Sequence, residues 1–313
     1  MRYKHFGNAD VDVSELAVGT WAIGGDNYGP VDKEASVHAI RRMIDNGVNL
    51  VDTAPCYGNG YSEKVVGEAL SGGYRDKVLL SSKVGLVTSA NGYDRDSSFK
   101  NVLREVESSL YNLKTDHIDF YFVHWPDLNT PFAETMSALE LLRKQGKIRF
   151  IGVSNFTVEM IEECQRYGKV DVQQPPFSMV DRRSVGLMQW GAVRGIDSMT
   201  YGSMGAGILS GKFRSAPDFS EGDTRLTFYD YFREPKFSKV QELLHVMDEI
   251  AGKHGAPVSQ VALNWSCQKS YVGTSLVGVR TVVHADENCA AFNWRLSDDE
   301  VARLDAELDR LGL

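Results

Sequence analysis

The chain has 313 residues, of which 42% are hydrophobic and 24% charged, and its formal net charge at pH 7 is −8. This composition is typical of a globular protein and excludes the disordered, fibrous and membrane-spanning classes. Because the charge is negative and no short segment is rich in Lys and Arg, nucleic acid is not expected as a partner.

The first residues of the sequence are not expected to be a secretory signal. Residues 1–13 lack the apolar stretch of a signal peptide, and nowhere do about 18 apolar residues follow one another. We therefore predict a cytoplasmic protein without membrane association. The four cysteines are widely scattered, and the seven histidines form neither an HExxH motif nor an i, i+4 pair. We expect reduced thiols and no bound metal.

The first predicted element is a β-hairpin over Arg2 to Val13, turning at Gly7-Asn8 and covering the bottom of a barrel. Behind it, short apolar runs alternate with longer segments of helical period, which is typical of parallel strands joined by crossover helices. The eight predicted strands are Leu16–Gly19, Leu50–Thr53, Val78–Ser82, Ile118–Val123, Phe150–Val153, Val170–Gln173, Ile196–Thr200 and Ser275–Val279. They favour a (β/α)8 TIM barrel, and the lack of a linker favours a single domain over residues 1–313.

Helix boundaries are indicated by capping residues. Predicted starts are Asp32 before a run to Asn46, Ser97 and Ser98 before Phe99–Leu113, and Thr157 before Val158–Tyr167, with stops at Gly47 and Gly146. Two further segments stand out. The polar and aromatic stretch Lys212 to Lys236 breaks the alternation and is predicted to be a loop over the site. The segment Ser297 to Leu311 is predicted to be an extra C-terminal helix.

Polar residues follow the predicted strands, at the barrel end where active sites form. They are Asp52, Lys83, His124, Ser154, Asn155, Gln174 and Arg280, with Tyr57 shortly after the second strand. Singly, each has an ordinary structural explanation, such as a turn cap, a solvated ammonium, a buried imidazole or loop packing. Together, a carboxylate, a phenol, an ammonium and an imidazole at one rim form a group suited to proton transfer.

The chemistry of this group follows from the phenol. A free phenol has a pKa of about 10 and donates a proton poorly near neutrality unless its anion is stabilised. Lys83 would stabilise it, and Asp52 would hold the ammonium. A neutral His124 would donate a hydrogen bond to a carbonyl oxygen. Tyr57 would then protonate the alkoxide that hydride transfer creates.

The order of motifs along the chain is distinctive. The motifs are Gly19-Thr20-Trp21, Asp52-Thr53-Ala54-Pro55-Cys56-Tyr57, Lys83, Val123-His124-Trp125-Pro126, Gly152-Val153-Ser154-Asn155-Phe156, Gln174-Pro175-Pro176, Tyr201-Gly202-Ser203-Met204, Leu209-Ser210-Gly211-Lys212 and Val277-Gly278-Val279-Arg280-Thr281, with Glu287-Asn288. Over almost its whole length the sequence resembles the aldo-keto reductases, most of all bacterial NADPH-dependent reductases of the inositol-utilisation type.

This resemblance implies a catalytic tetrad of Asp52, Tyr57, Lys83 and His124, with no member substituted. It also implies NADPH in the barrel mouth, with Ser154, Asn155 and Gln174 on the carboxamide, Tyr201 stacked on the ring, and the backbone after Gly202 along the pyrophosphate. The full set of implied cofactor contacts is Gly19, Thr20, Trp21, Asp52, Ser154, Asn155, Gln174, Tyr201, Gly202, Ser203, Met204, Gly205, Gly207, Leu209, Gly211, Lys212, Arg225, Gly278, Arg280, Thr281, His284, Glu287 and Asn288.

Arg280 bears on the choice between NADPH and NADH. A guanidinium offers a bidentate match to the 2′-phosphate that distinguishes NADPH, so we favour NADPH, with His284, Glu287 and Asn288 around the adenine. The sequence also departs from many relatives. Phe177 stands in place of tyrosine, Ser203 stands in place of proline, and Cys56, directly before Tyr57, is interpreted as a space-filling residue.

The predicted function is the reversible reduction of aldehydes or ketones, including sugar-derived ones, to alcohols. The expected partner is a small carbonyl compound or polyol, and the oligomeric state is left open. Substrate contacts are predicted at Trp21, Tyr57, His124 and Trp125. The aromatic cluster Phe228, Tyr229, Tyr231 and Phe232 lines the pocket or only packs.

Other nucleotide-binding functions fit the sequence less well. A Rossmann dehydrogenase would need a GxGxxG fingerprint after the first strand, which is missing. A regulatory subunit resembling the potassium-channel β subunits shares the motifs. The hairpin lies almost at the start of the chain, without a long extension to contact a partner, so an enzyme is favoured.

Overall fold

The computed structural model describes residues 1–25, 31–89, 92–217, 219, 223 and 225–313. The strands in these ranges are β1 Tyr3–Phe6, β2 Val11–Ser14, β3 Leu16–Gly19, β4 Leu50–Asp52, β5 Leu79–Val84, β6 Leu86–Ser89, β7 Gly92–Arg95, β8 Ile118–Val123, β9 Ile148–Ser154, β10 Val172–Gln174, β11 Asp197–Thr200 and β12 Thr274–Gly278.

Eight of these strands close into a parallel barrel in the order β3, β4, β5, β8, β9, β10, β11, β12. Each barrel strand pairs with the next barrel strand along the chain. The ring closes where β12 pairs with β3, for example at Ser275 and Leu16. The predicted (β/α)8 barrel is therefore confirmed, with strand ends that differ by one or two residues. Below, the mouth is the end of the barrel where these strands finish, and the bottom is the end where they start.

Helices surround the barrel. They are α1 Lys33–Asp45, α2 Tyr61–Ala69, α3 Phe99–Leu113, α4 Phe132–Lys144, α5 Val158–Gln165, α6 Val185–Ala192, α7 Arg225–Phe228, α8 Lys236–His254, α9 Val258–Cys267, α10 Val282–Ala290 and α11 Asp298–Leu311. The predicted caps are present, because the side chains of Asp32, Ser98 and Thr157 each accept a hydrogen bond from a backbone N–H of the following first turn. In α11, Ser297 and Glu300 form a reciprocal capping box.

The antiparallel hairpin of β1 and β2 covers the bottom of the barrel, as predicted. The Gly7 backbone N–H donates to the Asp197 carboxylate at 2.7 Å, at the start of β11. Phe6 and Val13 are fully buried in the cluster that also contains Phe120 and Met199 from the barrel interior. Burial of this apolar face holds the hairpin in place.

A glycine in the Gly-Val-Ser-Asn motif is required by packing inside the barrel. A Cβ placed on Gly152 in β9 would lie 2.3 Å from the ring of Phe122 in β8. The fully buried Phe122 side chain thus occupies the space next to Gly152. This contact explains the glycine without any role in chemistry.

A second antiparallel hairpin, formed by β6 and β7, lies between β5 and α3 and was not predicted. Its strands have four residues each, too short for a clear period in the sequence.

No helix in the described parts of the chain is long and apolar enough to span a membrane. The four cysteines are all buried and unpaired. Among the described residues, no three His, Cys, Asp or Glu side chains gather in a way that could hold a metal ion.

Candidate active site

A buried ion pair lies at the mouth of the barrel. Lys83 in β5 donates from Nζ to Asp52 Oδ2 at 2.6 Å and to the Thr53 carbonyl oxygen at 2.7 Å. The other carboxylate oxygen of Asp52 accepts from Ser81 Oγ at 2.6 Å and from Gln174 Nε2 at 3.0 Å. Both charged side chains are almost inaccessible to solvent. Their hydrogen bonds satisfy groups that would otherwise be costly to bury.

Tyr57 lies directly against this ion pair. The centroid of its ring is 5.1 Å from Lys83 Nζ and 5.8 Å from the centroid of the His124 ring, which it meets edge to face. The loop that carries Tyr57 is fixed by a close approach of two glycines. A Cβ on Gly58, whose φ is +60°, would lie 2.4 Å from the carbonyl oxygen of Gly24. The structure thus brings the four predicted catalytic residues together.

His124 follows β8 and carries a neutral ring. Burial, followed by the positive charge of Lys83, holds the pKa of His124 well below its usual range. Nδ1 of His124 lies 3.6 Å from Cys56 Sγ. Burial raises the pKa of the Cys56 thiol to about 12, which fits the interpretation of Cys56 as a space-filling residue rather than a reactive thiolate.

A cavity of about 1940 Å³ opens at the mouth. Most of the predicted contact residues line it: Gly19, Thr20, Trp21, Asp52, Tyr57, His124, Trp125, Ser154, Asn155, Gln174, Tyr201, Gly202, Ser203, Met204, Gly207, Lys212, Arg225, Gly278, Arg280, His284, Glu287 and Asn288. The other predicted residues, which do not line the cavity, are Lys83, Gly205, Leu209, Gly211 and Thr281. Lys83 and Leu209 are fully buried, and Thr281 caps α10 by accepting from the His284 backbone N–H.

A chain of hydrogen bonds connects the ends of β8, β9, β10 and β11. Asn155 donates from Nδ2 to the His124 carbonyl oxygen at 3.0 Å and accepts from the Tyr201 hydroxyl at 2.8 Å. Ser154 Oγ donates to the Gln174 carbonyl oxygen at 2.8 Å. Asn155 has a φ of +63°, a conformation that asparagine tolerates better than most residues. This network holds the side-chain amides in fixed positions at one side of the cavity.

Two of the tyrosines that line the cavity, Tyr57 and Tyr201, differ in their surroundings. Burial raises the pKa of Tyr201 to about 12, so this phenol stays neutral and serves as a hydrogen-bond donor to Asn155. Tyr57 instead has the Lys83 ammonium against its ring. A nearby positive charge favours the phenolate form of a tyrosine. Of the two, Tyr57 is the one whose ring lies against a buried ammonium.

Cationic groups gather at the opposite part of the cavity, beyond β12. Burial and the neighbouring charges of Lys212 and Arg280 lower the pKa of His284 in the first turn of α10. A helix N-terminus adds partial positive charge there. This region is suited to an anionic group such as a phosphate.

Arg225 differs from its predicted role in one respect. It lines the cavity, but its guanidinium chelates Asp223, with Nη2 2.6 Å from Oδ2. Its guanidinium carbon also lies 4.1 Å from the centroid of the Phe219 ring. The carboxylate of Asp223, only two residues before Arg225 in the chain, was not predicted to neutralise it.

Part of the described stretch of residues 212–236 lines the cavity, but Arg225–Phe228 forms a short helix where a loop was predicted. Phe228, Tyr229 and Tyr231 line the cavity, whereas Phe232 packs in the core against Phe213 and Phe219. Some members of the aromatic cluster therefore line the pocket, and one only packs.

Phe177 is stacked on Trp265, with ring centroids 5.4 Å apart. The position is buried, so the hydroxyl of a tyrosine there would need a hydrogen-bond partner.

Several cavity residues were not identified from the sequence. Leu86, Tyr93 and Arg95 of the β6–β7 hairpin line the cavity, as do Asp181 and Arg183 in the loop after β10. Tyr93 and Arg95 are two residues apart, and in a β-strand such residues point to the same face. This spacing is the signal in the sequence that could have indicated that both line the cavity. Because the hairpin itself was not predicted, that signal was missed.

Comparison with known proteins identifies the family. Residues 15–309 match the model of the Aldo/keto reductase family. The chain belongs to this family. Aldo-keto reductase YhdN of Bacillus subtilis is 33% identical over 303 residues, covering 96% of this chain and 91% of that protein. The NADH-specific methylglyoxal reductase of Escherichia coli is 32% identical over 314 residues, covering 95% of each.

Solved structures agree with the assignment to the aldo/keto reductases. The glycerol dehydrogenase AKR11B4 from Gluconobacter oxydans superimposes with a TM-score of 0.90 at 32% identity, covering 98% of this chain and 95% of that one. Membership of the aldo/keto reductase family makes the chain an oxidoreductase that uses a nicotinamide cofactor and a small-molecule substrate. The resemblance found in the sequence motifs is thereby confirmed at the level of the family.

Proposed function

We propose that this protein is an NADPH-dependent reductase that converts aldehydes or ketones to alcohols, reversibly, with Tyr57 as the general acid and base. One observation carries the proposal. The buried Asp52–Lys83 ion pair lies against the ring of Tyr57, beside a neutral His124, on the wall of a cavity large enough for two ligands. Sites for one small molecule measure about 300–1,000 Å³.

The chemistry of the residues around the cavity fits the proposed cofactor. The side-chain amides of Asn155 and Gln174 suit a carboxamide, and the flat ring of Tyr201 suits stacking on a nicotinamide. At the other end, Lys212 and Arg280 offer positive charge to phosphate groups. A Cβ on Gly202 or Gly278 would meet no atom within 4 Å, so ligand atoms can approach the backbone at both positions.

The proposed proton transfer involves only side chains that the structure brings together. A reduced nicotinamide bound in the cavity supplies the hydride. Neutral His124 donates a hydrogen bond to the carbonyl oxygen and orients it toward Tyr57. Tyr57 gives its phenolic proton to that oxygen, and the Lys83 ammonium stabilises the phenolate that remains. Asp52 keeps the ammonium in position through the 2.6 Å hydrogen bond.

The preference for NADPH rests on Arg280. A guanidinium at the rim, with Lys212 and the start of α10 nearby, would bind the 2′-phosphate that NADH lacks. One relative with 32% identity is named as an NADH-specific enzyme, so each cofactor is to be assayed. We expect a higher kcat/KM with NADPH.

The test is to follow nicotinamide absorbance with a panel of aldehydes, ketoses and polyols, comparing wild type with Tyr57→Phe. Loss of a general acid should lower kcat by roughly 10²- to 10⁴-fold, while the dissociation constant for NADPH stays nearly the same. Tyr111→Phe, on an exposed tyrosine of α3, is the matched control. Wild-type turnover by Tyr57→Phe would refute the role of Tyr57.

The same assay separates the enzyme from its alternative, a nucleotide-binding regulatory subunit resembling the potassium-channel β subunits. A regulatory subunit would bind NADPH tightly without turning over any carbonyl compound of the panel. Because the two share the motifs around Tyr57, turnover of a carbonyl compound is the result that decides between them.

A further inference from the structure

The hairpin of β6 and β7 forms a wall of the cavity for which the proposed reaction gives no role. Tyr93 and Arg95 are two residues apart in β7 and share one face, and Leu86 is paired with Arg95 across the hairpin. All three line the cavity, whereas Asp94, between them, belongs to the opposite face and does not. Among the described residues of the hairpin, the cavity-lining face therefore carries one positive charge and no negative charge.

Two contacts hold the Arg95 side chain in place. Its guanidinium carbon lies 5.3 Å from the centroid of the Trp125 ring, and Nη1 donates to the Pro126 carbonyl oxygen at 3.2 Å. Trp125 directly follows His124, the residue proposed to orient the carbonyl oxygen. The guanidinium is thus fixed on the substrate side of the cavity, away from the cationic region around Arg280.

Arg95 also differs from other arginines of the cavity in its partners. Arg183 forms an ion pair with Asp181 at 3.1 Å, and Arg225 forms one with Asp223 at 2.6 Å. Within the described ranges, by contrast, Arg95 has the carbonyl oxygen and the indole ring as partners and no carboxylate. Its positive charge remains available to a ligand.

We propose that Arg95 binds an anionic group of the substrate, so that the preferred substrates are carbonyl compounds that carry a carboxylate or a phosphate. Arginine matches both groups through paired N–H donors. Tyr93 and Trp125 form the apolar walls of the same part of the cavity and contact the carbon skeleton between the two polar ends. This inference rests on the proposed function, because it assigns the substrate of the same site.

The test compares aldehydes of matched size with and without charge. One pair is 4-carboxybenzaldehyde and its neutral amide 4-formylbenzamide, and the other is 4-formylphenyl phosphate and the neutral ester 4-formylphenyl methanesulfonate. In wild type, kcat/KM should be higher for the anionic member of at least one pair. The pair that responds tells carboxylate from phosphate as the group recognised.

In Arg95→Ala, we expect the ratio of kcat/KM for the anionic aldehyde to kcat/KM for the neutral one to fall by roughly five- to tenfold, mainly through a higher KM. The expected fall is modest because solvent weakens the attraction between charges at an exposed site. Arg95→Lys should recover part of this ratio. Arg104→Ala, which removes the same charge from an exposed position of α3 outside the cavity lining, should leave the ratio unchanged. An equal ratio in wild type and Arg95→Ala would overturn the proposal.

A binding measurement keeps this test independent of turnover. The alcohol product 4-(hydroxymethyl)benzoate should bind the NADPH-loaded protein more tightly than 4-(hydroxymethyl)benzamide, and Arg95→Ala should abolish the difference. If none of the aldehydes is reduced, the proposed function fails while this titration still decides the role of Arg95. Equal binding of the two alcohols to wild type would count against the anionic site.

Discussion

The two ends of the barrel bury very different side chains. At the bottom, the hairpin of β1 and β2 covers the barrel with apolar residues such as Phe6 and Val13. At the mouth, Asp52 and Lys83 are buried just as deeply, although both carry a charge. Apolar burial stabilises the fold, whereas an ion pair taken out of water gains little or nothing overall. The bottom therefore contributes stability, and the mouth holds the charged groups proposed for catalysis.

The largest combined loss of stability and activity is expected when one partner of the Asp52–Lys83 ion pair is removed. Lys83→Met leaves the Asp52 carboxylate buried without its cation, which should lower the free energy of unfolding by about 3–5 kcal/mol. The same variant loses the charge that stabilises the Tyr57 phenolate, so carbonyl reduction should also fall. Denaturant unfolding and the nicotinamide assay measure the two losses.

A double variant separates the two effects of Lys83. In Asp52→Asn/Lys83→Met no charge is left buried, so most of the stability should return. Carbonyl reduction should stay low, because Tyr57 still lacks the ammonium. If activity returned together with stability, the role of Lys83 would be structural alone.

The next largest effect is expected at the bottom of the barrel. Phe6→Ala removes a fully buried ring that packs on Gly273 and Phe120, and it should lower the free energy of unfolding by about 3–5 kcal/mol through the cavity it leaves. The dissociation constant for NADPH should change little. Tyr3→Ala, on the half-exposed side chain of the same strand, should cost about 1 kcal/mol or less. A loss of cofactor affinity in Phe6→Ala would contradict the division between the two ends.

The smallest of these effects is expected at the rim of the mouth. Arg280→Ala should weaken NADPH binding by roughly 10- to 100-fold, the range expected when a charge-assisted hydrogen bond is lost, and should weaken NADH binding much less. Thermal unfolding without cofactor should be nearly unchanged. Titration with both nucleotides checks the prediction, and equal losses for the two would argue against a contact with the 2′-phosphate.

Much of the fold could be predicted because its signals are local. Each barrel strand is a short apolar run, and the caps Asp32, Ser98 and Thr157 precede their helices. Phe232 and Phe228 illustrate the limit. They belong to one aromatic segment, yet Phe232 is buried in the core and Phe228 is 71% exposed at the cavity. Their difference depends on contacts with Phe213 and Phe219, which no local pattern indicates.

The chain's own sequence determined the barrel, the order of its strands and the four residue types proposed for catalysis, because apolar periodicity and strand ends are properties of neighbours along the chain. Tertiary structure alone decided which of the charged side chains at the mouth form ion pairs and which remain available to a ligand. Lys83 pairs with Asp52 out of contact with water, and Arg95 lies beside Trp125 without a carboxylate partner among the described residues. These states depend on distances between side chains from separate elements, and only the folded chain sets those distances.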